Sequence, residues 1–155
     1  MSKNLIIYFS RSGENYFGGE LKNIEKGNTE VIAEYIKDLA SADLFKVEPV
    51  NEYPSDYMKC IDVAQKELDE GARPEIKHPL TDIDEYDIIY IGFPNWWGTL
   101  PMPMWTQLEQ LDITGKTVWI WHDICETDTE LRGRVPPVLS EIVIDFYGKF
   151  LYTRI

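Results

Sequence analysis

The chain has 155 residues, 44% of them hydrophobic, so it is long enough to bury one core, and we expect a single domain over residues 1–155. Its 15 basic and 27 acidic residues give a formal net charge of −12, which argues against nucleic acid or an anionic membrane as the main partner. The cysteines, Cys60 and Cys125, lack the spacing of a metal-binding or redox pair. Without a signal-peptide core or an apolar run of about 18 residues, the expected location is the cytoplasm.

Five short segments are predicted as β-strands. Residues 5–9, 87–93 and 117–121 are apolar with little alternation. Such strands are typical of a parallel sheet that helices cover on both faces. Residues 43–50 alternate more and suit a strand nearer an edge, and residues 149–155 form the last predicted strand.

Helical patterns separate these strands. The first helix starts at the segment Gly27-Asn28-Thr29, with Asn28 as its cap, and its apolar residues recur with a period near 3.6 at Val31, Ile32, Tyr35, Ile36 and Leu39. Residues 55–70 predict a second helix, with Ser55 as its cap and Gly71 as its end.

Residues 102–111 predict a third helix, which Pro101 or Pro103 opens. Residues 131–142 are a weaker candidate, because two prolines must start a helix there. The order β-α-β-α-β-α-β-α-β is typical of an open, doubly wound α/β sheet. A loop-like insert, residues 16–26, separates the first strand from its helix.

Small polar residues follow the first strand. In an open parallel sheet, ligands bind beyond the carboxyl ends of the strands. Ser10 and Ser12 offer hydroxyls there, and Gly13 allows backbone amides to approach a ligand. Asn28 and Thr29 place further donors at a helix amino terminus, whose dipole favours an anion. These residues predict a phosphate site built from uncharged donors.

Two common phosphate motifs do not fit this segment. Gly13 and Gly18 are spaced as in a Walker A loop, but Gly19 stands where the lysine belongs, and no Gly-x-Gly-x-x-Gly follows the strand. Hydrolysis of a nucleoside triphosphate and a standard dinucleotide-binding fold therefore lose support. A monophosphate held largely by uncharged donors remains. An ordinary strand-to-helix turn rich in small residues is the alternative.

Two tryptophans follow the third predicted strand. Trp96 and Trp97 stand in a segment rich in glycine and proline, and flat rings in a rigid loop suit a planar heteroaromatic ligand. Packing as core or as a subunit contact is the alternative. Adjacent side chains point in different directions, so we expect at most one of the two rings to face a ligand.

A histidine and an aspartate follow the fourth predicted strand. His122, Asp123 and Cys125 suggest a hydrolase at first sight, but the chain has no Gly-x-Ser-x-Gly elbow. A solvated loop pair is the interpretation that we favour.

Together these segments resemble the small flavodoxin-like proteins, which bind flavin mononucleotide (FMN). The resemblance extends from Leu5 to Leu111 and rests on residues 8–13, 27–29, 53–57, 71–74 and 94–103. It implies a flavodoxin-like, five-stranded parallel sheet with strand order 2-1-3-4-5. The insert at residues 16–26 is similar to one that a subgroup of these proteins carries in the phosphate loop.

The resemblance also implies which residues bind the cofactor. Ser10, Ser12, Asn28 and Thr29 would hold the FMN phosphate, with Arg11 and Asn15 nearby. The segment that would flank the isoalloxazine ring consists of Pro94, Asn95, Trp96, Trp97 and Gly98. The segment that contains His122 would approach the pyrimidine edge, although it lacks the glycine-rich and serine-rich turn of the family pattern.

The function that the resemblance implies is electron transfer through FMN, with no catalytic side chain. The alternatives are an FMN-dependent reductase of quinones with a nicotinamide donor, and a flavin-free binding module of the same fold. The charge of −12 would favour basic redox partner proteins, and it would disfavour the anionic reduced flavin and so lower its potential. Exposed aromatic residues near the flavin edge could support a homodimer.

Overall fold

The computed structural model describes residues 2–17, 19–123 and 151–154, and for Phe17, Asp123 and residues 151–154 it describes the backbone alone. None of the helices within these ranges is long and apolar enough to cross a bilayer.

Four parallel strands form the centre of the molecule. β1 (Asn4–Tyr8) pairs with β4 (Asp43–Lys46) on one side and with β5 (Ile88–Pro94) on the other, and β6 (Thr117–Asp123) pairs with β5. The predicted parallel sheet is confirmed for these four strands. Residues 5–8 of β1 are buried on both sides of the sheet, which explains why this strand has no polar alternation.

The last strand runs in the opposite direction. β7 (Leu151–Arg154) lies beside β6 but pairs with it antiparallel, so the prediction of an entirely parallel five-stranded sheet is wrong at this strand. Leu151 is opposite Ile120 and Arg154 is opposite Thr117, so the chain re-enters the sheet toward the carboxyl end of β6. An apolar pattern with period two indicates a strand but not its direction.

Helices cover the two faces of the sheet through alternate residues of β1. α1 (Asn28–Ala40) packs Ala33 and Ile36 into the cluster that contains Ile6 and Tyr8. On the opposite face, α3 (Met102–Leu108) places Met104 and Leu108 in the cluster that contains Leu5 and Ile7. Because successive strand residues point to opposite faces, one strand supplies both cores.

The helix ends differ from the predicted caps. Gly27 occupies the N-cap of α1 and has no side chain to cap it, so Asn28 is the first helical residue and not the cap. α2 (Tyr57–Asp69) is capped by Asp56, whose carboxylate accepts from the Lys59 amide at 2.8 Å, and not by Ser55. Since aspartate and serine are both good caps, their order in the chain did not identify which one begins the helix.

The other ends agree more closely with the sequence pattern. Gly71 follows α2 with a φ of +59°, which suits its predicted role as the end of that helix. α3 begins after Pro101 but ends at Leu108, three residues before the predicted end. The predicted helix at residues 131–142 lies outside the described residues.

The predicted loop-like insert is a β-hairpin. β2 (Gly13–Phe17) and β3 (Glu20–Ile24) pair antiparallel, and Gly19 at the turn has a φ of +87°. All but one of the β3 residues are exposed, so this strand has no buried apolar face. Strand prediction from sequence depends on the alternating pattern that such a face produces. The hairpin closes on itself, with Gly13 opposite Ile24 at its base.

Candidate functional site

Two turns meet at the amino terminus of α1. We call residues 10–13 the serine turn and residues 27–29 the helix-start turn. A Cβ atom on Gly27 would lie 2.1 Å from Ser10 Oγ and 2.5 Å from the Arg11 carbonyl oxygen, so the contact requires glycine. Ser10 Oγ accepts a hydrogen bond from the Glu30 amide at 3.1 Å and thereby caps α1 from another segment. A hydroxyl that accepts one bond can still donate its proton to a ligand.

Several predicted phosphate-binding residues line one small gap at this junction. The gap measures about 20 Å³, and its lining residues are Ser10, Arg11, Asn15, Asn28, Thr29, Pro94 and Trp96. The structure therefore brings both turns together with the start of the tryptophan segment. A volume of that size holds about one water molecule, so a phosphate group would displace some of the lining side chains.

Arg11 and Asn15 hold the serine turn in shape. The Arg11 guanidinium donates to the Glu14 carbonyl, to the Pro54 carbonyl at 2.6 Å and to the Ser55 carbonyl at 2.7 Å. Its Nε is buried and has no hydrogen-bond partner within the described part of the chain. Asn15 Nδ2 donates to the carbonyls of Arg11 and Gly13, both at 3.2 Å. Most N–H groups of these two side chains therefore donate to backbone carbonyls.

A larger cavity of about 340 Å³ lies against the serine turn, and Ser12 faces this cavity and not the small gap. Tyr53, Lys46 and Lys77 also line it. Lys46 pairs with Glu30 at 2.8 Å and Lys77 pairs with Glu52 at 2.9 Å, so carboxylates already compensate both ammonium charges. Sequence reasoning did not select Tyr53 as a site residue, although it stands in one of the segments that carried the resemblance.

The two tryptophans differ in environment. Trp96 is partly buried and packs edge-on against Phe9 and Tyr53, with ring centroids 5.3 Å and 5.0 Å away. Trp97 is 46% exposed. Backbone hydrogen bonds of 2.9 Å and 3.1 Å between Trp96 and Thr99 close a tight turn over residues 96–99, the tryptophan turn.

The tryptophan turn places Trp97 in an unfavourable backbone conformation. Trp97 has a φ of +57° and Gly98 has a φ of +74°. Two consecutive positive values are typical of type I′ turns, which favour asparagine and glycine. A bulky residue with a left-handed backbone costs about 1–2 kcal/mol, so the fold holds the Trp97 ring at the surface against a local preference.

His122 lies on β6, opposite Phe93 of β5 in the strand register, and not in a loop after the strand. The two rings stack, with centroids 5.9 Å apart and an interplanar angle of 17°. The side chain of Asp123 and the whole of Cys125 lie outside the described residues, so the predicted solvated pair stays a prediction.

Glu67 of α2 borders a small gap that Trp96 and Trp97 of the tryptophan turn also line. It accepts a hydrogen bond from the Tyr53 hydroxyl. Burial raises the pKa of Glu67 above its usual value, and the Tyr53 hydrogen bond opposes this shift without reversing it. Burial and the same hydrogen bond raise the pKa of Tyr53, so Tyr53 stays protonated as the donor.

We expect Gly27→Ala to lower the free energy of unfolding by about 1–3 kcal/mol, because the new methyl group would overlap Ser10 Oγ and the Arg11 carbonyl. Adding Ser10→Ala removes only the first overlap and should restore only part of the loss. Urea unfolding of the two variants measures this. Equal stability of Gly27→Ala and the parent chain would show that the two turns are not in contact.

The backbone strain at Trp97 can be isolated by comparing two truncations of the ring. Trp97→Asn should be more stable than Trp97→Val by about 1–2 kcal/mol, since asparagine tolerates a positive φ and a β-branched residue does not. Both variants lose the same ring, so their difference in urea unfolding reports the backbone. If valine were as stable as asparagine, the turn would not hold residue 97 in the left-handed region.

The raised pKa of Glu67 predicts how the contribution of this side chain to the free energy of unfolding depends on pH. Because its pKa is raised on folding, Glu67 costs stability at neutral pH. That cost begins to fall as the pH drops through the folded-state pKa of Glu67, and it is gone below the unfolded-state pKa. Glu67→Gln should therefore raise the free energy of unfolding at neutral pH, and the gain should shrink in mildly acidic solution.

Glu109 provides a control of opposite sign. A hydrogen bond from Arg73 lowers the pKa of Glu109, so Glu109→Gln should reduce stability at neutral pH, with a loss that fades in acid. Urea titrations of both variants over the acidic range test the pair. A neutral-pH loss for Glu67→Gln would contradict the expectation.

Comparisons with known proteins show which family the chain belongs to. The sequence profile of the flavodoxin family matches residues 3–132. The chain is similar to the crystal structure of a protein from Bacteroides eggerthii assigned as a flavoprotein, with 28% identity, a TM-score of 0.60 and coverage of 79% of this chain and 70% of that chain. A protein from Bacteroides uniformis with the same assignment has 27% identity, a TM-score of 0.57 and coverage of 78% and 71%.

A third similar structure is a flavoprotein from Lactobacillus acidophilus, solved in complex with FMN, with 27% identity, a TM-score of 0.54 and coverage of 71% of this chain and 66% of that chain. No curated protein matches the chain. The profile match spans most of the sequence, and the four-stranded parallel sheet agrees with it. The chain therefore belongs to the flavodoxin family.

Proposed function

We propose that this chain binds FMN at the carboxyl ends of β1 and β5 and serves as an electron-transfer protein. The observation that carries the proposal is the meeting of the serine turn and the helix-start turn beside Pro94 and Trp96. Phosphate donors and aromatic rings then lie at one edge of the sheet. The flavoprotein from Lactobacillus acidophilus that was solved with FMN supports the choice of this flavin.

The phosphate half of the proposed site uses uncharged groups. Ser10, Asn28 and Thr29 supply side-chain donors, and α1, which has 13 residues, directs its amino terminus toward them. A helix dipole and free backbone amides attract an anion without a lysine. The Arg11 guanidinium donates mainly to backbone carbonyls, so among the described residues the site has no free cation to form an ion pair with a phosphate. The site therefore suits a phosphate monoester that uncharged donors bind through hydrogen bonds.

The ring half of the proposed site is aromatic. Trp97 presents a partly exposed ring from the tryptophan turn. Trp96, in the same turn, packs edge-on against Tyr53. FMN, when bound, supplies one-electron and two-electron redox chemistry that no side chain has to perform. The protein contributes position and electrostatics, and its charge of −12 would steer basic redox partners toward it and disfavour negative charge on the flavin.

The proposal extends to the setting of the protein. Cys60 is a free, buried thiol, which suits a reducing cytoplasm. A homodimer through the exposed Trp97 ring is a further expectation, since aromatic residues are enriched at interfaces.

Flavin binding tests the proposal directly. The purified chain should be yellow, release FMN on denaturation, and bind FMN at least about tenfold more tightly than riboflavin, which lacks the phosphate. Ser10→Ala should weaken FMN binding and leave riboflavin binding unchanged, whereas Trp97→Asn should weaken both equally. Ser41→Ala, at the far end of α1, is the matched control.

Other outcomes would assign a different role. A chain that stays colourless after incubation with FMN would be a flavin-free binding module of the same fold. If the purified chain oxidised a nicotinamide donor only when a quinone was present, the FMN-dependent reductase would replace the electron carrier. A flavin potential that did not change with salt would remove the proposed role of the surface charge.

A further inference from the structure

We propose that residues 53–57, the segment ahead of α2, position both halves of the flavin site. The inference rests on the proposed function, since it assigns a role toward the flavin to residues 53–57, which do not line the small gap at the start of α1. We call this segment the positioning segment. Its backbone holds the serine turn, and the side chain of Tyr53 holds Trp96.

The serine turn is attached to the positioning segment by a set of polar contacts. Arg11 Nη2 donates to the carbonyls of Pro54 and Ser55 at 2.6 Å and 2.7 Å. The Glu14 amide donates to the Ser55 carbonyl at 3.2 Å, and Glu14 Oε2 accepts from the Tyr57 amide at 3.0 Å. A guanidinium can reach two carbonyls in a fixed plane, which an ammonium group cannot do.

Arg11 directly follows Ser10, so these contacts fix the backbone beside the predicted phosphate donor. Arg11 is therefore a positioning residue for the serine turn. A direct contact between Arg11 Nε and the phosphate is the competing role, because that atom is buried without a partner in the described residues. The two roles differ in their dependence on salt.

The tryptophan turn is attached through aromatic rings. The Tyr53 ring stands at 88° to the Trp96 ring, with centroids 5.0 Å apart, and at 89° to the Phe9 ring at 5.9 Å. Phe9 and Trp96 also meet edge-on at 5.3 Å, so each of the three rings limits the movement of the other two.

Glu67 fixes the hydroxyl end of the Tyr53 side chain. The Tyr53 hydroxyl donates to the Glu67 carboxylate, which ties the ring to α2. Trp96 is one residue before Trp97, so the orientation of the Tyr53 ring determines where the tryptophan turn can present the exposed ring. Tyr53 is therefore a positioning residue for the ring half of the site.

Substitution of Arg11 tests the phosphate half. Arg11→Lys keeps the charge but loses the planar contact, and it should weaken FMN binding roughly three- to tenfold while riboflavin binding stays unchanged. The slope of the logarithm of FMN affinity against the logarithm of salt concentration should equal that of the parent chain, and Arg11→Met should share that slope. A smaller slope for Arg11→Met would assign Arg11 to the phosphate and overturn the positioning role.

Arg73→Lys is the matched control for Arg11. Arg73 also uses its planar guanidinium for two hydrogen bonds, here from Nε and Nη2 to the Glu109 carboxylate at 2.7 Å and 2.8 Å, away from the site. It should leave the affinities for both flavins unchanged. An equal loss of FMN binding in Arg73→Lys would attribute the Arg11 effect to general stability and overturn the inference.

Substitution of Tyr53 tests the ring half. Tyr53→Phe keeps the ring and removes only the hydrogen bond to Glu67, and it should weaken FMN and riboflavin by the same factor, roughly three- to tenfold. The near-ultraviolet circular dichroism of the flavin-free chain should lose the tryptophan bands that Trp96→Phe also removes. Tyr86→Phe, which breaks a 2.8 Å hydrogen bond to Asp43 at the opposite edge of the sheet, is the control.

Measurements on the flavin-free chain separate this inference from the proposed function. If the parent chain bound no flavin, the proposed function would fail. Positioning would still be supported by faster amide hydrogen exchange at Glu14 and Tyr57 in Arg11→Lys, and by the changed tryptophan bands in Tyr53→Phe. Exchange rates and spectra identical to those of the two control variants would overturn it.

Discussion

The contact between Gly27 and the serine turn is the constraint on which the site depends. Residues 14–26 separate the two turns in the chain, and pairing of Gly13 with Ile24 at the base of the hairpin brings the backbone back to its starting point. Gly27 can then approach the serine turn so closely that a Cβ atom at this position would lie only 2.5 Å from the Arg11 carbonyl oxygen. The insert leaves the serine turn and α1 in contact because it forms a closed hairpin.

This contact also explains how α1 begins. Gly27 has no side chain with which to cap the helix, and Ser10 accepts the Glu30 amide instead. The serine turn thus stabilises the helix whose amino terminus contributes to the predicted anion site. Positive side chains take another role, because Arg11 donates to backbone carbonyls, and Lys46 and Lys77 pair with carboxylates. The ligand group that suits the carboxyl ends of β1 and β5 is therefore a monophosphate bound by uncharged donors.

Some sequence patterns predicted structure well because they reflect local physics. The buried strands 5–9, 87–93 and 117–121 lie in the parallel sheet, since an apolar run without alternation requires cover on both faces. Trp96 is partly buried and Trp97 is exposed, since adjacent side chains point in different directions. The hairpin was missed because almost all of β3 is exposed, and the direction of β7 was missed because strand patterns carry no direction.

The sequence by itself determined the α/β class, the two donor turns and the aromatic segment, because short-range periodicity and turn chemistry encode them. Tertiary structure alone decided which donors face one another. Arg11 looks like a phosphate ligand in a linear motif, yet its guanidinium donates to the carbonyls of Pro54 and Ser55, more than 40 positions away, as well as to that of Glu14. Tyr53 and Trp96 are likewise distant in the sequence, and their rings pack edge-on. Contacts between distant segments depend on how helices and strands pack, which local residue patterns do not specify.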